Sequence, residues 1–80
     1  MLPQPMKLVS GVITAVQEGR FRLATRGGQN KLFILFRNAP LEPQDLGPLQ
    51  SEETEVTVHY EDAPDLIAGI AHDITLAKPS

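Results

Sequence analysis

Arg20-Phe21-Arg22-Leu23 places two guanidinium groups on alternate residues. Lys31, Phe33 and Arg37 follow on the next apolar run, with Arg26 on the connection between them. Alternate residues of a strand project to one face, where cations can contact phosphates and a ring can stack on a base. Arg20, Arg22, Arg26, Lys31, Phe33 and Arg37 are therefore the candidate anion-contacting and base-stacking set. The same face, with Phe33 and Leu35 as apolar anchors, would equally suit a protein partner.

Other chemistries are poorly served. The chain has no cysteine, which excludes thiol catalysis, disulfides and thiolate zinc sites. His59 and His72 invite a metal reading, but His59 alternates against Val56, Val58 and Tyr60 and so points outward, while His72 shares the phase of Ile70 and Ile74 and so points inward. Ligands on opposite faces cannot share an ion, so no metal and no cofactor is expected. His72 and Asp73, as neighbours in a strand, cannot form the oriented pair that a nucleophile requires. Ser10, Ser51 and Ser80 stand near element ends, and the carboxylate pairs Glu52-Glu53 and Glu61-Asp62 lie in polar segments unsuited to the pKa shifts of acid–base work. Gly27-Gly28 reads as a turn, because no helix follows to receive a phosphate. The expectation is a non-enzymatic binding module.

The elements that must position these residues follow from composition. Leu8 to Val16, rich in Val, Ile and Thr, reads as a first strand after a loose arm over residues 1–7. Gln17-Glu18-Gly19 fits a three-residue hairpin loop with Gly19 left-handed, and Arg20 to Leu23 alternates strictly into a second strand. The polar connection from Thr25 to Asn30 leads to a third strand, Lys31 to Arg37. Pairing Leu23 with Leu32 and Phe21 with Ile34 sends Phe21, Leu23, Leu32, Ile34 and Phe36 inward, and Arg20, Arg22, Lys31, Phe33, Leu35 and Arg37 outward. A slip of one residue would invert the third strand.

Residues 39–50 carry three prolines and admit only a single helical turn near Pro43 to Leu46. Glu55 to Tyr60 alternates as a fourth strand that buries Val56, Val58 and Tyr60. Leu66, Ile70 and Ile74 recur at helical spacing, although Gly69, Ile70, Ile74, Thr75 and Leu76 also suit a strand. A four-stranded sheet would leave an edge to cover, so a fifth strand is expected there.

Eighty residues allow one small domain, here the span 8–77 with a tail over 78–80. No apolar run reaches the ~20 residues of a membrane span, and the amino terminus has no signal-peptide pattern, so the cytoplasm is the expected location. The net charge of −3 conceals a division. Residues 1–40 carry Lys7, Arg20, Arg22, Arg26, Lys31 and Arg37 against Glu18, whereas residues 41–80 carry Lys78 against nine carboxylates. One face is thereby equipped to meet an anion, or the two halves to attract each other.

Three strands, a proline-broken connection and two further strands make an all-β, five-stranded Greek-key barrel of the oligonucleotide/oligosaccharide-binding (OB-fold) type the expected architecture. Gly11-Val12-Ile13-Thr14, Gly19-Arg20-Phe21-Arg22-Leu23, Glu55-Val56-Thr57-Val58 and Asp65-Leu66-Ile67-Ala68-Gly69 together resemble the spine of bacterial translation initiation factor one and related small RNA-binding barrels, over about residues 10–76. The resemblance implies single-stranded RNA or DNA as a partner, bound through the outward face of the second and third strands. A protein partner on that face is the alternative.

Overall fold

The computed structural model describes residues 6–63 and 68–77. Five strands, β1 (Lys7–Gln17), β2 (Arg20–Thr25), β3 (Asn30–Leu35), β4 (Glu55–Asp62) and β5 (Gly69–Leu76), close into a barrel in the order β1-β2-β3-β5-β4. All pairings are antiparallel except β3 with β5, which is parallel. A closed five-stranded barrel with one short helix between β3 and β4 is the OB-like architecture. The expected residues 1–5 of the arm, Leu66 and the 78–80 tail lie outside the described residues, and Lys7 already belongs to β1.

Closure depends on β1, which pairs with β4 through Lys7 to Val12 and with β2 through Gly11 to Gln17. A strand shared by both halves of a barrel must bend sharply. Gly11 lies where the two ladders overlap, and a Cβ there would lie 2.2 Å from the Ala24 carbonyl oxygen, so only glycine allows the backbones to approach this closely. A bulge between Ile13 and Ala15 adds twist beyond that point.

The β1–β2 connection is tighter than the expected three-residue loop. Gln17 pairs with Arg20, and the left-handed residue is Glu18 (φ 58°) instead of Gly19. In the next turn Gly28 takes the left-handed conformation (φ 88°), and its N–H donates to the Thr25 carbonyl at 3.0 Å.

The helical segment is longer than a single turn. A 3₁₀ turn over Pro43–Asp45 runs into α1 (Leu46–Ser51). Proline would interrupt a helix interior, but Pro48 lies in the first turn of α1, where backbone N–H groups have no intrahelical acceptor to lose. Leu46 is fully buried in the core, with Leu41 and Leu49 packed against it, and the Gln50 amide donates to the Thr14 carbonyl at 3.0 Å, tying α1 to the β1 bulge.

The core comprises Ile13, Phe21, Leu23, Phe33, Leu46, Val56, Val58, Tyr60 and Ala71. At its centre Phe21 stacks on Phe33 with centroids 5.3 Å apart, and Phe33 meets Tyr60 edge to face at 5.0 Å. Both distances lie in the favourable range for aromatic pairs. A Cβ on Gly69 would lie 3.0 Å from both Phe33 and Tyr60, so this glycine leaves room for the ring pair.

The register of β3 corrects the expected one. Phe21 pairs with Phe33, Arg22 with Leu32 and Leu23 with Lys31, one residue away from the Phe21–Ile34 and Leu23–Leu32 pairing. A shift of one inverts the faces. Phe33 is completely buried and Leu35 packs against the core, while Leu32 and Ile34 are only half-buried on the outside and Phe36 is exposed. The fifth strand is present, as the need to cover an edge required, but its phase also differs. A register shift opposite His59 and Tyr60 lets Ala71 and Ile74 both pack against the core, three residues apart.

Candidate nucleic-acid interface

The outer face of β2, β3 and β5 has a definite order. Along β2, Arg20 and Arg22 alternate with the buried Phe21 and Leu23 and are both exposed. Beside them β3 presents Leu32 and Ile34, since Arg22 pairs with Leu32 and Arg20 with Ile34. Ile34 in turn pairs with Ile70 of β5. The Phe36 N–H extends this ladder by donating to the Ala71 carbonyl at 2.8 Å, and the Phe36 ring meets the His72 ring with centroids 4.5 Å apart. An apolar ridge, Leu32-Ile34-Phe36, thus runs between the β2 arginines and the β5 pair Ile70 and His72.

His72 is held in place from β4. Its Nε2 lies 2.8 Å from Glu61 Oε1, which fixes the ring against Phe36. This overturns its expected inward direction: the β5 irregularity puts His72 on the outside with Glu61. His59, directed outward as its alternation with Val56, Val58 and Tyr60 required, faces Asp73 across the ladder and lies 3.4 Å from Thr75 Oγ1. Among the described residues, no group of three or more His, Asp or Glu side chains is disposed to hold a metal ion. The Asp73 carboxylate is engaged by the Ile74 N–H at 2.8 Å.

The candidate cations divide into two groups. Arg26 is bonded to Glu55, and Lys7 to Asp62. Each pair joins the basic first half of the chain to the acidic second half, so part of the charge division serves barrel closure. Asp62 is held below the ordinary carboxylate range by its hydrogen bond from Lys7, and Lys7 is raised by the same contact. The Arg26 guanidinium is raised by its bond to Glu55.

Lys31, expected on the outer face, follows the inward phase of β3. Its ammonium lies 5.1 Å from the Tyr60 ring centroid and 5.9 Å from that of Phe33, within cation–π range, and it helps to lower Asp62. Arg20, Arg22 and Arg37 form no ion pair among the described residues. Of the six predicted site residues, then, Arg20 and Arg22 share the outer face, Arg37 follows in the exposed turn beyond Phe36, Arg26 and Lys31 are engaged elsewhere, and Phe33 is in the core.

A groove of about 270 Å³ runs along the arginine side of this face, lined by Ala15, Gln17, Arg20, Arg22 and Leu32 among others. Two guanidinium groups at the wall of one groove form an anion-attracting cleft. Phe36 and His72 were not among the predicted site residues. The signal that could have found them is the position of Phe36, next to Arg37 at the boundary of the apolar run, where a ring need not be enclosed. No helix among the described residues is long and apolar enough to cross a membrane. No protein family, curated protein or solved structure matches the chain.

Proposed function

We propose that the protein is a non-catalytic module that binds single-stranded nucleic acid on the outer face of β2, β3 and β5. The observation that carries the reading is the pair Arg20 and Arg22, exposed, without ion-pair partners among the described residues, and bordering a groove on an OB-like barrel. A guanidinium group retains its charge at every physiological pH and matches phosphate geometry with a pair of N–H donors. The surrounding aliphatic ridge tolerates any base sequence, because it offers no directional donor or acceptor. The excess of carboxylates elsewhere on the chain opposes a polyanion, so the expected affinity is about micromolar or weaker at physiological salt.

A protein partner is the second reading, favoured by the half-buried aliphatic residues Leu32, Ile34 and Ile70, which adjoin one another across β3 and β5. Its anchors would be these residues, because Phe33 and Leu35 face the core. A salt titration separates the two. Three arginine–phosphate contacts predict a logarithmic slope of about −2 for a single strand, and Arg22→Ala should reduce it by about 0.7. A salt-independent affinity, or no binding at low ionic strength, would overturn the nucleic-acid reading.

A further inference from the structure

Resting on the nucleic-acid reading, a more specific assignment concerns Phe36 and His72. We propose that these two rings form a stacking platform for one base of the bound strand, with Glu61 as the positioning residue. Phe36 is 38% exposed although it is a large apolar side chain, and one partner of its ring is the His72 imidazole, centroids 4.5 Å apart with planes tilted by 39°. That imidazole is itself fixed by the Glu61 carboxylate at 2.8 Å. The platform is therefore ordered before any ligand arrives, so stacking costs little additional side-chain entropy.

Its position fits the proposed phosphate contacts. Phe36 ends the ridge that begins at Leu32 beside Arg22, and Arg37 follows it directly in the chain. A strand whose phosphates follow Arg20, Arg22 and Arg37 would carry its bases over the ridge and meet the ring pair at the β5 side. A base has a π face whatever its identity, so the platform confers preference for nucleic acid over other polyanions without sequence preference. The charged group in contact with the platform is Glu61 from β4, while Arg37 follows Phe36 in the chain and Arg20 lies across from Ile34 on β2.

The test compares an oligodeoxythymidine strand of about eight nucleotides with an abasic sugar-phosphate strand of equal length at low salt. The wild-type protein should prefer the strand with bases by about 5- to 150-fold. Phe36→Leu should remove most of that preference, leaving what the Leu32 and Ile34 side chains contribute, while retaining the affinity for the abasic strand and its salt slope; an unchanged preference in this variant would overturn the platform. His72→Phe should preserve the preference because it supplies another ring, whereas His72→Ala should weaken it. Glu61→Gln, which leaves both rings in place, should reduce the preference without removing it. Equal binding of both strands by the wild type would overturn the platform and leave the arginine contacts standing. Failure to bind either strand would overturn both.

Discussion

Phe33→Leu distinguishes a core ring from a ligand-stacking ring. In the observed register Phe33 has no exposed surface and contacts two other rings, Phe21 at 5.3 Å and Tyr60 at 5.0 Å. Leucine retains most of the apolar volume but forfeits both ring contacts. Each such pair is worth about 0.5–1.5 kcal/mol beyond its burial, so the variant should lose about 1–3 kcal/mol. For a domain of this size about 1 kcal/mol corresponds to roughly 4–8 °C, which puts the expected fall in Tm at roughly 4–24 °C. The assay is a thermal melt followed by circular dichroism, with ligand affinity measured at a temperature where both proteins are folded. A melting temperature within about 2 °C of the wild type, accompanied by weaker strand binding, would mean that Phe33 faces outward and not into the core.

Two glycines should prove equally demanding. Gly11→Ala puts a Cβ 2.2 Å from the Ala24 carbonyl oxygen, a backbone atom that cannot rotate away, and should cost more than the usual 1–3 kcal/mol of an overpacked site, read as lost cooperative urea unfolding. Gly69→Ala meets the Phe33 and Tyr60 rings at 3.0 Å and should cost about 1–3 kcal/mol in the same assay. The Lys7–Asp62 pair gives a pH dependence with a defined sign. Asp62 has a lower pKa folded than unfolded, so its contribution to stability is present above the unfolded carboxylate's range and lost as pH falls through the folded value. Lys7 is raised, so its contribution is lost only as pH rises through the folded lysine value. The Asp62 titration by carboxyl NMR should move upward in Lys7→Ala, and an unchanged midpoint would argue against the pair.

Much of the barrel was legible because its strands announce themselves. Arg20-Phe21-Arg22-Leu23 and Glu55-Val56-Thr57-Val58 alternate, and alternation specifies both a strand and its buried face. The third strand lacks that information. Leu32-Phe33-Ile34-Leu35-Phe36 is apolar at every position, so its phase is set by the turn at Arg26 to Gln29 and by the rings it must meet across the core, neither of which is a local property. The same holds for β5, where the irregularity opposite His59 and Tyr60 changes the phase between Ile70 and Ile74. Pro48 was misleading for another reason, because its effect depends on whether it stands inside a helix or in its first turn. Both ambiguous phases bear on the candidate site: Arg20 and Arg22 lie on the outer face as their alternation requires, whereas Phe33 lies in the core and the exposed ring at the end of β3 is Phe36.

If a single strand lies across β2, β3 and β5 as proposed, an amide chemical-shift map recorded while an oligodeoxythymidine strand is added at low salt will show it. Shifts centred on Arg20, Arg22, Leu32, Ile34, Phe36 and His72 are predicted, with α1 and the Lys7–Asp62 end of the barrel little affected. Shifts centred on α1 or on the outer face of β1 and β4, or no shifts at all, would mean that no strand binds across β2, β3 and β5.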